Sequence, residues 1–219
     1  MARAKRKSNE ISVPQRRLPT EQRRLEIARV AGDLFAAHGF SVSTRTISDA
    51  LGITQAALYK HFSSKEEIIE EVFRIRYLDQ KESNFSNILD TSTDKLSRRL
   101  TRAYVSFFEE ITETSLKLFQ RASYDDLEIA KRYTPHLNDR IIWPILEHLR
   151  VEAKLPDLVQ RPASNQEREL ILMLHSTIIF LAIRKFVYHI EFKAPEADII
   201  ELHVNVWLSG ALKNIRTMQ

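Results

Sequence analysis

Places to stop a helix are scarce in this chain. Its 219 residues hold four glycines and seven prolines, and the stretches between them repeat apolar residues every three or four positions, the period of an amphipathic helix. No segment is rich in β-branched alternation and no internal repeat is visible, so the sequence predicts an all-α fold. The most apolar run, Leu170 to Ile183, is 14 residues long and is closed by Arg168 and Glu169 on one side and Arg184 and Lys185 on the other. That length suits a buried core helix better than a membrane span, and with no apolar run behind the basic N-terminus the chain reads as a soluble, cytoplasmic protein without a membrane partner. Cysteine is absent, which removes disulfides and thiolate chemistry.

Predicted helices follow from caps and stops. The first runs from an N-cap at Thr20 through Ile27, Ala31, Leu34 and Phe35 to Gly39, which supplies a left-handed stop. Thr44 is predicted to cap a short second helix carrying Ile47, Ala50 and Leu51 inward. Gly52 takes the turn, and Thr54 caps a third helix from Gln55 to about His61. Ser64 and Glu67 have capping-box spacing and open a long fourth helix. Further helices are predicted at about 94–112, 114–132, 135–153, 165–192 and 196–216, with Pro135, Pro156, Pro162 and Pro195 in the loops, Pro144 kinking or breaking one helix, and a second capping box at Ser164 and Glu167.

Charge is uneven. Residues 1–64 hold 11 Lys/Arg against 5 Asp/Glu, whereas the remainder is slightly acidic. A basic terminus is either a solvated tail or a phosphate-seeking arm in front of a nucleic-acid module. Two short helices joined by a glycine turn are in turn either an ordinary helical hairpin or a helix-turn-helix, whose second helix enters the major groove. Gln55, Ala56 and Ala57 on the outward face of the third helix are small or amide side chains. Glutamine can bond adenine through two hydrogen bonds, and an alanine methyl can touch the methyl of thymine. Thr54 caps this helix, while Tyr59, Lys60 and His61 further along are better placed for phosphates.

The stretch "FAAHGF…VSTRTISDALGITQAALYKHFSSKEEII", Phe35 to Ile69, resembles the DNA-binding signature of the TetR family of transcriptional regulators. The resemblance rests on the Gly39-Phe40 step, Thr44, the Gly-Ile-Thr turn, the Leu58-Tyr59-x-x-Phe62 ending and Lys65. It covers about the first 75 residues; the rest resembles the family only in length and helical pattern. It implies phosphate contacts for Thr44, Tyr59 and Lys65, base reading by Gln55, Ala56 and Ala57, and for Arg45 either a guanine or a phosphate. It gives weight to an arm of Arg3, Lys5, Arg6, Lys7, Arg16 and Arg17 on the DNA backbone or minor groove. The implied organisation is a basic arm (1–19), a three-helix helix-turn-helix domain (20–66), and a helical ligand-binding and dimerisation domain (67–219) reached through the fourth helix.

The partners so implied are double-stranded operator DNA, a second copy of the chain, and a small-molecule inducer or co-repressor of unknown identity. On the last helix Ile200, Val204, Trp207 and Ala211 form a stripe, predicted here to meet the partner subunit. Phe107, Phe108, Phe119, Tyr124, Tyr133, Trp143 and Phe180 are candidates to line the ligand pocket, although rings at helical spacing also fill cores. His175, set in the apolar run, is either a hydrogen-bonded core histidine or a ligand contact. No Gly-rich phosphate loop, cofactor motif or metal-ligand spacing of the histidines is present, so the chain is expected to be no enzyme but a repressor released from a palindromic operator by a small molecule; a helical enzyme, or a helical adaptor that binds no DNA, is the competing class of function.

Overall fold

The computed structural model describes residues 20–78, 84–91, 93–125 and 128–218; the basic arm lies outside the described residues. All regular elements among them are helical. In order they are α1 (Thr20–His38), α2 (Thr44–Ala50), α3 (Gln55–Leu58), α4 (Lys65–Phe73, continuing as a π turn over Arg74–Leu78), α5 (Asn84–Asp90), α6 (Leu96–Glu110), α7 (Glu113–Tyr124), α8 (Ile129–Leu137), a π turn (Asn138–Ile142), α9 (Trp143–Ala153), α10 (Asn165–Phe186), α11 (Glu196–Asn214) and a closing 3₁₀ turn (Ile215–Thr217).

Two apolar cores form. The first gathers Ile27, Phe35, Ile47, Leu58, Phe62, Ile68 and Val72 from α1 to α4, and is completed by Leu118 and Ala122 of α7. The second joins α5, α6, α9, α10 and α11 around Leu100, Tyr104, Leu146, Ile171, Leu174, Ile178 and Val204. Helix α7 belongs to both halves in space: its Leu116 lies in the second core, while its Arg121 donates to the Ala37 carbonyl at 3.1 Å and its Ser115 carbonyl accepts from Tyr77.

Several predicted boundaries change. Ser43, not Thr44, caps α2: its side chain accepts from the Thr46 N–H at 3.1 Å, and Thr44 turns inward as the first helical residue. The helix predicted over 114–132 ends at Tyr124, and Glu128 enters α8 with a left-handed φ of 51°. Pro135 sits within α8 rather than in a loop. It is exposed, so water can serve the carbonyl left without a donor. Pro144 occupies the first turn of α9, where a missing N–H costs least, and the π turn before it closes with the Trp143 N–H on the Asn138 carbonyl. The long helix predicted to reach 192 stops at Phe186; the N–H groups of Val187 and Tyr188 both fold back on the Ile183 carbonyl, and His189 takes a left-handed φ of 52°.

The interior holds one ion pair that periodicity does not reveal. Arg150 and Glu167 are both 0% exposed. Two bonds of 2.9 and 2.6 Å join the guanidinium to the carboxylate, and the same guanidinium donates to the carbonyls of Asp157 and Arg161. Glu167 also completes the Ser164 capping box and accepts from Arg161 at 2.7 Å. The loop between α9 and α10 is wound around this pair.

The stripe predicted to meet the partner subunit turns mostly inward, and Trp207, partly exposed, stands at its edge and lines the groove between α10 and α11. Its indole N–H donates to the Leu170 carbonyl of the same subunit at 2.8 Å, and Ile200, Val204 and Ala211 are buried in the subunit's own core. The face left open is the next one round: Met173, Thr177 and Phe180 on α10 and Leu202, Val206 and Gly210 on α11 fall at four- and three-residue steps. Met173, Leu202 and Val206 are each 60% exposed or more, and a groove of about 650 Å³ runs between the two helices. No helix among the described residues is long and apolar enough to cross a membrane.

Candidate nucleic-acid interface

The glycine turn is built as its sequence requires. Gly52 has φ +64°, a conformation costly for any side chain with a Cβ. The Gly52 and Ile53 N–H groups bond back to the Asp49 and Ser48 carbonyls, and Thr54 accepts from the Ala57 N–H at 3.1 Å to start α3. Helix α3 is a single turn, with Leu58 and Phe62 anchored in the core and Gln55 and Ala56 exposed, Ala57 partly so. That leaves a short, flat outward face.

Behind it stands Arg24 of α1. It donates to the His61 carbonyl, lies 4.2 Å from the Phe62 ring centroid, and meets Glu67 at 3.1 Å and Glu71 at 3.8 Å. Glu67 in turn accepts from the N–H and hydroxyl of Ser63, and these bonds, with that of Arg24, hold its carboxyl below the usual carboxylate range. The Ser64 hydroxyl receives the Glu67 N–H, but the returning half of the predicted capping box goes to Ser63. The end of α3 is thereby tied to α1 and α4 together.

The predicted contact residues divide. Arg45 and Lys60 are exposed, and Tyr59 is 45% exposed. Thr44 is buried; its hydroxyl receives the Gln55 amide at 2.8 Å and lies 3.2 Å from the Tyr59 hydroxyl, a latch across the two helices. Gln55 thus has one of its two amide N–H groups on Thr44, while the other N–H and the amide oxygen remain for the two bonds that adenine requires. Lys65 donates to the Phe40 carbonyl, fastening the start of α4 to the α1–α2 loop rather than pointing outward. His61 is partly exposed and keeps its Nδ1 buried without a hydrogen bond. Sequence reading missed Arg24 and Ser43, the first because its partners lie 37 residues or more away.

The candidate pocket residues do not converge on one cavity. Phe119 and Tyr133 pack with Tyr77 between α4, α7 and α8. Phe107, Phe108, Trp143 and His175 belong to the larger core, with Phe107 centred 5.3 Å from His175. Tyr124 is 87% exposed and Phe180 lies on the open α10 face, so these two line no enclosed pocket.

A latched pair of short helices with a bare outward face, mounted on an all-helical body, defines a helix-turn-helix DNA-binding module. Residues 27–72 match the model of the family described as bacterial regulatory proteins, tetR family. It is 41% identical over 90 residues to the HTH-type transcriptional repressor KstR2 of Mycolicibacterium smegmatis, across 41% of this chain and 43% of that one. The HTH-type transcriptional activator FasR of the same organism is 34% identical over 100 residues, 45% of each chain. The aligned part therefore spans less than half the length of these relatives. The structure of the ketosteroid transcriptional regulator KstR2 of Mycobacterium tuberculosis superposes with a TM-score of 0.58 at 22% identity, over 86% of this chain and 94% of that one, a likeness of fold.

Proposed function

We propose that this protein is a transcriptional repressor that binds a two-fold symmetric operator as a homodimer and releases it on binding a small molecule. The observation that carries the reading is the exposed Gln55–Ala56 face of α3, held on the Arg24 buttress with nothing of its own described chain bonded in front of it. In the major groove, Ala56 and Ala57 meet thymine methyls, and Gln55, steadied by its bond to the Thr44 hydroxyl, offers its second N–H and its amide oxygen to adenine. Arg45, Tyr59 and Lys60 hold phosphates on either side. Greater identity to a named repressor than to a named activator supports the sign of regulation. The open apolar face of α10 and α11 pairs with its copy, which sets two α3 helices on successive grooves. An effector acts only through its different affinity for the DNA-binding and released states.

Gln55→Ala should weaken binding to a duplex selected by the protein by about 1–3 kcal/mol, concentrated at one base position. Retardation of a set of duplexes substituted base by base measures this, and equal weakening at every position would reduce Gln55 to a latch for Thr44. For the arm, deletion of residues 2–17 removes six basic side chains and one acidic one. The slope of log affinity against log salt should become shallower by about 0.9 for each phosphate that the arm neutralises. An unchanged slope would leave the arm no part in binding.

A further inference from the structure

Two polar atoms in the larger core have no partner. The Tyr104 hydroxyl of α6 and Nδ1 of His175 of α10 are buried without a hydrogen bond, Tyr104 being 0% and His175 5% exposed. Their ring centroids are 6.2 Å apart. The Phe107 ring lies against both, 6.3 Å from Tyr104 and 5.3 Å from His175, and Phe85 of α5 closes the box at 5.0 Å from Tyr104. Phe107 is the partly exposed member, so it forms the wall nearest solvent. Native interiors seldom leave such groups unsatisfied, because each loses its water and gains nothing in return. The buried Arg150 and Glu167 meet a full set of partners, and the other unpartnered atoms of this half, Nε of Arg99 and of Arg161, belong to guanidiniums that bond through their other nitrogens.

We propose that Tyr104 and His175 form the polar end of the effector site, and that the effector is a neutral, ring-containing molecule bearing one hydroxyl or carbonyl oxygen. The inference rests on the regulator reading above. The ligand's apolar body takes the place of the Phe107 ring, and its oxygen settles between the two orphan atoms. Tyr104 donates to that oxygen. His175 accepts from a hydroxyl at Nδ1, or in its other tautomer donates to a carbonyl. Burial pushes the His175 imidazole down to about 4, so it carries no charge at neutral pH, and the box offers an ionised ligand no counter-charge. The route outward is short. Only Ile111 and Thr112 separate α6 from α7, whose Leu118 and Ala122 fill the DNA-binding core.

The test uses the full chain and three probes of one shape: 2-naphthol, naphthalene and 2-naphthoate. Calorimetry should show 2-naphthol bound at least tenfold more tightly than either of the others. Tyr104→Phe and His175→Phe should each cut that preference below threefold while retaining operator retardation, and Phe107→Ala should tighten 2-naphthol about tenfold by removing the wall. Tyr104→Phe should also melt no lower than the parent, since it deletes a hydroxyl without a partner. The site is overturned if 2-naphthol binds neither the parent nor Phe107→Ala, or if its preference survives both polar substitutions. A Tyr104→Phe variant that melts several degrees lower with probe binding unchanged also overturns it, since the hydroxyl then serves a buried water. Failure of the parent chain to retard any duplex would sink the regulator reading instead, while a hydroxyl-dependent preference would still stand for the site.

Discussion

Arg150→Ala should destabilise the protein by about 3–5 kcal/mol, the usual cost of stripping one partner from a fully buried ion pair. The residue is 0% exposed, bonds both oxygens of Glu167, and donates to backbone carbonyls of the α9–α10 loop, all of which would be left without that donor at once. Denaturant unfolding measures it, and a drop under about 1 kcal/mol would mean that Arg161 alone can carry Glu167. The same pair sets an acid limit. Burial by itself raises the Glu167 carboxyl, but hydrogen bonds from Arg150 and the Ser164 N–H, with the charges of Arg150 and Arg161, hold it below its ordinary value of 4.5. A depressed folded value means that this contribution is complete above the unfolded value and drains away as pH falls through the folded one. Parent and Arg150→Ala should therefore differ most near neutrality and converge in acid.

The second large effect concerns assembly. Val206→Arg should weaken self-association by at least about 100-fold and remove operator binding with it, because it sets an unpaired charge in the middle of the open α10–α11 face. Val206 is 66% exposed, so the subunit should fold unchanged. Sedimentation at micromolar concentration reads the first effect and duplex retardation the second. A variant that remains dimeric would move the interface off this face. Trp207 lines the same groove but is also bonded to Leu170 within its own subunit, so its truncation would confound folding with association.

What the sequence could tell was what local chemistry decides. Gly39 and Gly52 take positive φ, Thr54 caps α3, and Ser164 with Glu167 closes a full capping box, each because the outcome depends on a few neighbouring residues. Apolar period likewise located most helices. It missed where two surfaces meet. Trp207 shares helical phase with Ile200, Val204 and Ala211, yet phase cannot say whether a stripe faces the subunit's own core or a copy of it. Arg150 and Arg24 look like solvated cations until the fold brings carboxylates and carbonyls to them. The pocket candidates failed to converge for the same reason. Rings such as Phe119 and Phe107 are alike in sequence, but α7 carries the first to the DNA-binding core and α6 the second to His175. The α3 face was legible because small side chains stand there where a core helix would carry large ones.

The central claim, that α3 pairs read a symmetric duplex, is tested most directly by letting the full chain select from a random duplex library at physiological salt. Enrichment of a two-fold symmetric sequence is expected, with half-sites about 10–10.5 base pairs apart or at a multiple of that spacing, and the parent should retard it as a dimer. Selection that returns no sequence above background, or a single unsymmetric site bound by one subunit, would contradict it.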